Sequence, residues 1–140
     1  MASGPYLLTL EKIANAYFGS GTFRLMLLNG YSEDRDSHEF LTAARASEIP
    51  DGNGYSTDGA VVVPVVSRDD AENRITVTIP EVIWTPATIA ATHAVLYKDL
   101  GADGADELIF VNNFGGAISS TNDDFKFNES SFYWDFPNTD

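Results

Sequence analysis

Arg74-Ile75-Thr76-Val77-Thr78-Ile79 alternates apolar and polar residues with a period of two, the pattern of an antiparallel strand with one face buried and one in water. Three of its six residues are β-branched aliphatics facing one way, so a core must lie on that side. The segments after it share this character. Strands are expected at Ile89–Lys98, Leu108–Asn113, Phe125–Phe127 and Phe132–Phe136, separated by turn residues. Upstream, Ala60–Val66 is Val-rich but contains Pro64, which cannot donate to a ladder and so marks an edge or a bulge.

Nearer the start, Thr22-Phe23-Arg24-Leu25-Met26-Leu27-Leu28 is a short apolar run bounded by Gly21 and Asn29-Gly30, which fits a buried strand. Before it, Leu7, Leu10, Ala14 and Phe18 recur at helical spacing. Pro5 suits the first turn and Gly19-Ser20-Gly21 supplies a left-handed stop, so a helix over 5–18 is expected. Residues 38–46 carry a second, short helical pattern. Tyr31–Ser37 reads as an acidic loop, and Asp51-Gly52-Asn53-Gly54-Tyr55 and Asp58-Gly59 are turn chemistry. The closing Pro-Asn-Thr-Asp is expected to be loose.

One leading helix and six or seven short strands predict a mainly β fold, an antiparallel β-sandwich-like domain with one N-terminal α-helix; α+β is the second choice. The 140 residues suit a single domain, 1–140, with no internal repeat or long linker.

Charge narrows the partners. Eight Lys and Arg stand against 21 Asp and Glu, a formal charge of −13, which repels nucleic-acid backbones and anionic membranes. There is no cysteine, hence no disulfide and no thiolate metal site. No apolar run is long enough to span a bilayer and no basic leader precedes one, so a soluble protein made in the cytoplasm is expected.

A catalytic set is hard to assemble from these residues. His38 stands between Ser37 and Glu39, but sequence neighbours do not converge on one substrate atom. His93 lies inside a strand, where a hydrogen-bonded wall residue is the expected role. Asp99, Asp103, Asp106 and Glu107 crowd one Gly-rich loop with oxygen ligands of the kind Ca²⁺ prefers, yet their spacing is not that of an EF-hand, and a polar hairpin loop is expected. Gly52-Asn53-Gly54 lacks the rest of a dinucleotide fingerprint and no P-loop occurs. The expectation is a non-enzyme without metal or cofactor.

Aromatic residues carry more information. Phe132, Trp134 and Phe136 alternate as core-facing residues, with Tyr133 on the opposite face. Tyr31 and Tyr55 sit in turn-rich loops. With Tyr133 they are the candidate partner-binding residues, rigid aromatics able to anchor a protein or stack on a sugar.

The order of the pieces resembles a family of small tailed-phage virion structural proteins, of capsid-decoration, head-fibre or tail-fibre type. The matching pieces are the helix from Leu10 to Gly21, the strand Phe23–Asn29, the turn Gly52-Asn53-Gly54-Tyr55-Ser56-Thr57-Asp58-Gly59, the segment Trp84-Thr85-Pro86-Ala87-Thr88, the strand end Ala94-Val95-Leu96-Tyr97-Lys98-Asp99, and a strand closing at Phe114-Gly115-Gly116. The aromatic, acidic end from Phe132 to Asp140 departs from the pattern. The resemblance implies a virion building block and does not separate capsid from tail. A cement role on the major capsid protein lattice is the first expectation and a tail, baseplate or fibre-adaptor subunit the alternative, while Tyr31, Tyr55 and Tyr133 keep a host carbohydrate-binding module as a third. The resemblance further implies a homo-oligomer, a trimer or lattice-matched ring, with contacts from the N-terminal helix region, the Tyr31–Ser37 loop, the Gly52–Gly59 turn and the end from Phe132 onward.

Overall fold

The computed structural model describes residues 3–136, so the tail expected to be loose lies outside the described residues. In chain order the elements are α1 (Leu7–Phe18), β1 (Thr22–Leu28), α2 (Thr42–Arg45), β2 (Ala60–Val62), β3 (Val65–Asp69), β4 (Arg74–Ile79), β5 (Val82–Asp99), β6 (Glu107–Phe127) and β7 (Ser130–Asp135). The fold is mainly β, with two antiparallel sheets and one N-terminal helix, the class expected from the alternation. Among the described residues no helix is long and apolar enough to cross a membrane.

Two compact units divide the chain, and neither is continuous in sequence. One draws on the residues up to Gly21, on Val63–Glu81 and on those from Asn128 onward; the other comprises Thr22–Val62 and Val82–Phe127. Pro64 stands where the chain passes from one to the other. The expected single strand Ala60–Val66 is therefore two, β2 in one sheet and β3 in the other, because the proline withholds the N–H that would have continued the ladder.

The first unit is a three-stranded sheet of order β3-β4-β7 with α1 packed chiefly on β3 and β4. Ile75, Val77 and Ile79 of β4 are buried while Arg74, Thr76 and Thr78 are not, as the period of two requires. The helix buries Ala14 and Phe18, and Arg68 of β3 donates from Nη1 to Glu11 of α1 at 2.9 Å. Gly19 caps α1 in the right-handed region and donates to the Asn15 carbonyl at 2.8 Å; the left-handed turn comes two residues later, at Gly21.

Phe132 and Trp134 lie opposite Val77 and Ile75, hence on the apolar face that the alternation assigns them. The core placement of Trp134 is nevertheless corrected: it is 44% exposed, because β7 is the outermost strand and α1 lies chiefly over the other two. Trp134→Ala is accordingly expected to cost about 1–2 kcal/mol, below the value for a fully buried aromatic. Urea denaturation of the two proteins measures the difference.

The second unit is a four-stranded sheet of order β2-β1-β5-β6. β1 is interior, and all but its first residue and Arg24 are buried. On one face Met26, Leu28, Val95 and Tyr97 form a core with Tyr31, Leu41 and Ala44, against which Leu108 and Val111 pack. β5 and β6 are far longer than the expected segments. Their pairing shifts register at four places, and these bulges contain the residues that had read as turns.

Candidate functional site

Two polar clusters and one exposed aromatic strand hold the chemically notable side chains, with both clusters in the second unit. In the first cluster Arg45, at the last turn of α2, reaches three carboxylates. Its Nε and Nη2 donate to the two oxygens of Asp103 at 2.9 and 2.8 Å, and Nη1 lies 2.8 Å from Glu48 Oε1 and 2.7 Å from Asp58 Oδ1. A planar guanidinium with fixed donors suits such a hub, where an ammonium would not hold the geometry. Glu48, nearly buried, uses its other oxygen to accept from the Tyr55 hydroxyl at 2.8 Å and from the Asp58 N–H at 2.7 Å. The Tyr55 hydroxyl in turn accepts from the Leu27 N–H at 3.3 Å, and Tyr97 donates to the Asp58 carbonyl at 2.9 Å. The network ties the 45–59 loop to β1 and to the hairpin turn.

That hairpin turn has its acids engaged internally. Asp99 accepts from Arg24 Nε at 2.8 Å and from the Gly101 N–H at 3.0 Å, and buried Asp106 accepts from the Leu100 N–H at 2.6 Å. It is the polar loop expected, and its carboxylates organise the turn. Among the described residues no group of three or more His, Cys, Asp or Glu is placed to hold a metal ion.

The second cluster centres on His93, buried on β5. Its Nε2 lies 2.7 Å from Glu33 Oε2 and its Nδ1 2.7 Å from Thr92 Oγ1, while Asn113 donates to the other Glu33 oxygen at 2.7 Å. Hydroxyl, imidazole and carboxylate in a row invite comparison with a hydrolase relay. Geometry speaks against that role. The Thr92 hydroxyl already accepts from the Gly30 N–H at 2.9 Å, and the ring is only 6% exposed. The neighbouring cleft, of about 310 Å³, is lined by residues such as Asn29, Glu48, Asn53 and Thr88 and includes neither Thr92 nor His93. His93 is thus the hydrogen-bonded wall residue that a strand position suggests, joining the 29–38 loop to β5 and β6. His38 also has an internal partner, with Nδ1 2.8 Å from the Tyr31 hydroxyl.

Several carboxyls are held below their ordinary range. Arg24, then the Gly101 N–H, lowers Asp99; Arg45 lowers Asp103; the Asn113 amide, then backbone and His93, lowers Glu33. A carboxyl whose folded pKa is depressed contributes stability above its unfolded pKa and loses it as the pH falls through the folded value. The sign is therefore fixed: stability should decline on acidification below the usual values of 3.8 for Asp and 4.5 for Glu, measured as a falling urea midpoint.

The structure separates the three candidate partner-binding tyrosines. Tyr55 is 2% exposed and Tyr31 8%, so the exposed placement expected for both is corrected: each loop folds its ring inward, and each hydroxyl is bonded within the chain. Burial, then Glu48, raises the Tyr55 pKa, consistent with a hydroxyl that stays protonated. Only Tyr133 is exposed, at 52%, and the Arg74 guanidinium sits 3.9 Å from its ring centroid.

No family model, curated protein or solved structure matches the chain. The geometry alone therefore carries the functional argument. It gives a scaffold whose two polar clusters act inwardly, with exposed apolar side chains in both units: Tyr6, Leu8 and Ile13 at the helix, Val63 and Val65 beside Pro64, and Tyr133 and Trp134 on β7 in the first, and Val61, Ile83, Leu100 and Ile118 in the second. Sequence reasoning missed Arg45 and Glu33, whose partners, Asp103 for the one and His93 and Asn113 for the other, lie far along the chain.

Proposed function

We propose that the protein is a non-catalytic virion structural subunit of a tailed phage, a decoration or cement protein that binds the major capsid protein lattice. The observation that carries the reading is the exposed apolar set on the helix region and β7, two of the segments from which contacts were expected, on a scaffold whose polar networks are satisfied internally. The resemblance read in the order of the sequence pieces points the same way. A charge of −13 favours solubility and disfavours competing nucleic acid, while many weak contacts on a repeating shell add through avidity.

Its test is add-back of purified protein to capsids lacking it, with copy number read by mass. Saturation at a stoichiometry matching the shell lattice is expected. Failure to bind capsids, together with stable association with tail or fibre components at low copy number, would replace this reading with the tail or fibre-adaptor alternative. Exposed Tyr133 keeps a second reading, host carbohydrate binding, although Arg74 occupies one side of its ring. A glycan array without hits removes it.

A further inference from the structure

β7 is the outermost strand of its sheet, and its hydrogen-bond phase can be read from its end. The Phe136 N–H donates to the Asn73 carbonyl at 2.8 Å. Alternation along an antiparallel pair then makes Trp134–Ile75, Phe132–Val77 and Ser130–Ile79 the hydrogen-bonded pairs. The N–H and C=O groups of Ser131, Tyr133 and Asp135 consequently point away from β4, and all three residues are exposed.

Edge strands normally carry a device that discourages pairing, such as a proline, a bulge, a charge or brevity. β2 has three residues and is followed by Pro64, β3 carries Arg68 and Asp69, and β6 is broken by register shifts. β7 keeps even register with β4 over Ser130–Asp135, and its single charge, Asp135, is paired with Arg74 of β4 at 2.9 Å.

We propose that β7 pairs antiparallel with β7 of a second copy about a two-fold axis through Tyr133, joining two three-stranded sheets into one. A second copy fits the phase of the outward groups and the side chains on both faces. Centred on Tyr133, the outward-pointing groups of Ser131, Tyr133 and Asp135 meet those of Asp135, Tyr133 and Ser131 of the second copy. On the apolar face Phe132 stands opposite Trp134 of the second copy, and Trp134 opposite its Phe132, the aromatic cross-strand pairing that stabilises sheets. Each Asp135 faces a serine hydroxyl. A centre one residue earlier, on Phe132, sets Asp135 against Glu129 of the second copy and is disfavoured by charge.

The contact is isologous, as a two-fold requires. Its overlap is short beside an obligate dimer interface, so association depends on concentration. Each copy carries −13, so added salt screens the repulsion and favours the dimer. This inference does not depend on the virion reading.

Sedimentation equilibrium of the full chain from micromolar to millimolar concentration, at low and high salt, tests it. A monomer–dimer equilibrium that tightens with salt is expected. Ser131→Pro removes an outward N–H that β4 does not use, and Tyr133→Lys sets two cations across the axis; both are expected to stay monomeric over the same range. In the unsubstituted protein, amide exchange at Tyr133 and Asp135 is expected to slow as concentration rises, a readout independent of how the variants fold. A monomer at every concentration, exchange at these amides that ignores concentration, or folded variants that dimerise like the parent would overturn the proposal.

Discussion

Gly59→Ala is expected to give protein that is largely unfolded at room temperature, the most severe effect of any single substitution considered. Gly59 has φ +83°, where an L side chain is strained, and a Cβ there would run into the backbone carbonyl of Leu25 in β1. The obstacle is main chain of a buried strand and does not swing aside as a surface side chain does. Left-handed strain alone costs about 1–3 kcal/mol, and the collision requires β1 or the turn to move as well. The next residue, Ala60, pairs with Leu25, so that movement also breaks the β1–β2 ladder. Urea denaturation followed by circular dichroism is the check. A midpoint close to that of the parent protein would mean that the 58–60 turn relaxes more easily than its packing implies.

Arg45→Ala should have the next largest effect. It leaves Glu48 nearly buried beside the Tyr55 hydroxyl with its cation gone, and it releases Asp58 and Asp103 from their shared anchor. Removing one partner of a buried ion pair costs about 3–5 kcal/mol. Arg45 itself is 29% exposed, so about 2–4 kcal/mol is expected after allowing for solvent screening. Adding Glu48→Gln to the variant tests the cause. If the penalty comes from an uncompensated carboxylate, the double variant should be more stable than Arg45→Ala alone; if it is no more stable, the loss is one of packing.

Strands bounded by glycine and patterned by burial were legible in the sequence. β1 has the limits read from Gly21 and Asn29, and the alternation in β4 names its buried face. Punctuation misled within the longest strands. Gly115, Gly116 and Asn122 have positive φ, as turn residues do, but they take it inside β6, where the pairing with β5 is irregular and the ladder resumes on the far side. A positive-φ residue signals a local bend, and whether a strand resumes is decided by pairing with residues far along the chain.

The same distance hid the polar clusters. Arg45 is the only cation between Arg35 and Arg68, among Glu48, Asp51 and Asp58, and that isolation was the available signal; Asp103 could not be foreseen as its partner. Tyr31 and Tyr55 show the converse. Turn chemistry locates their backbone, but the direction of each ring depends on Glu48 and His38, which lie seven residues away in sequence. For Trp134 periodicity chose the right face, and strand order, which periodicity does not contain, decided how much of it is covered.

The interleaving of the two units sets the order in which the protein can be made. The first unit takes α1 from near the beginning of the chain and β7 from near its end, so the contact between the Phe18 and Phe132 rings closes a loop over most of the polypeptide. During synthesis β4 emerges without its outer neighbour and waits for β5 and β6, the later segment Val82–Phe127 of the second unit, to be translated before β7 reaches it. Folding dominated by such distant pairings is slow, and until it finishes, the β4 edge and its Ile75–Val77–Ile79 face lack their last strand. A ribosome stalled within β6 would therefore hold a nascent chain whose second unit is nearly complete and whose first unit cannot yet close.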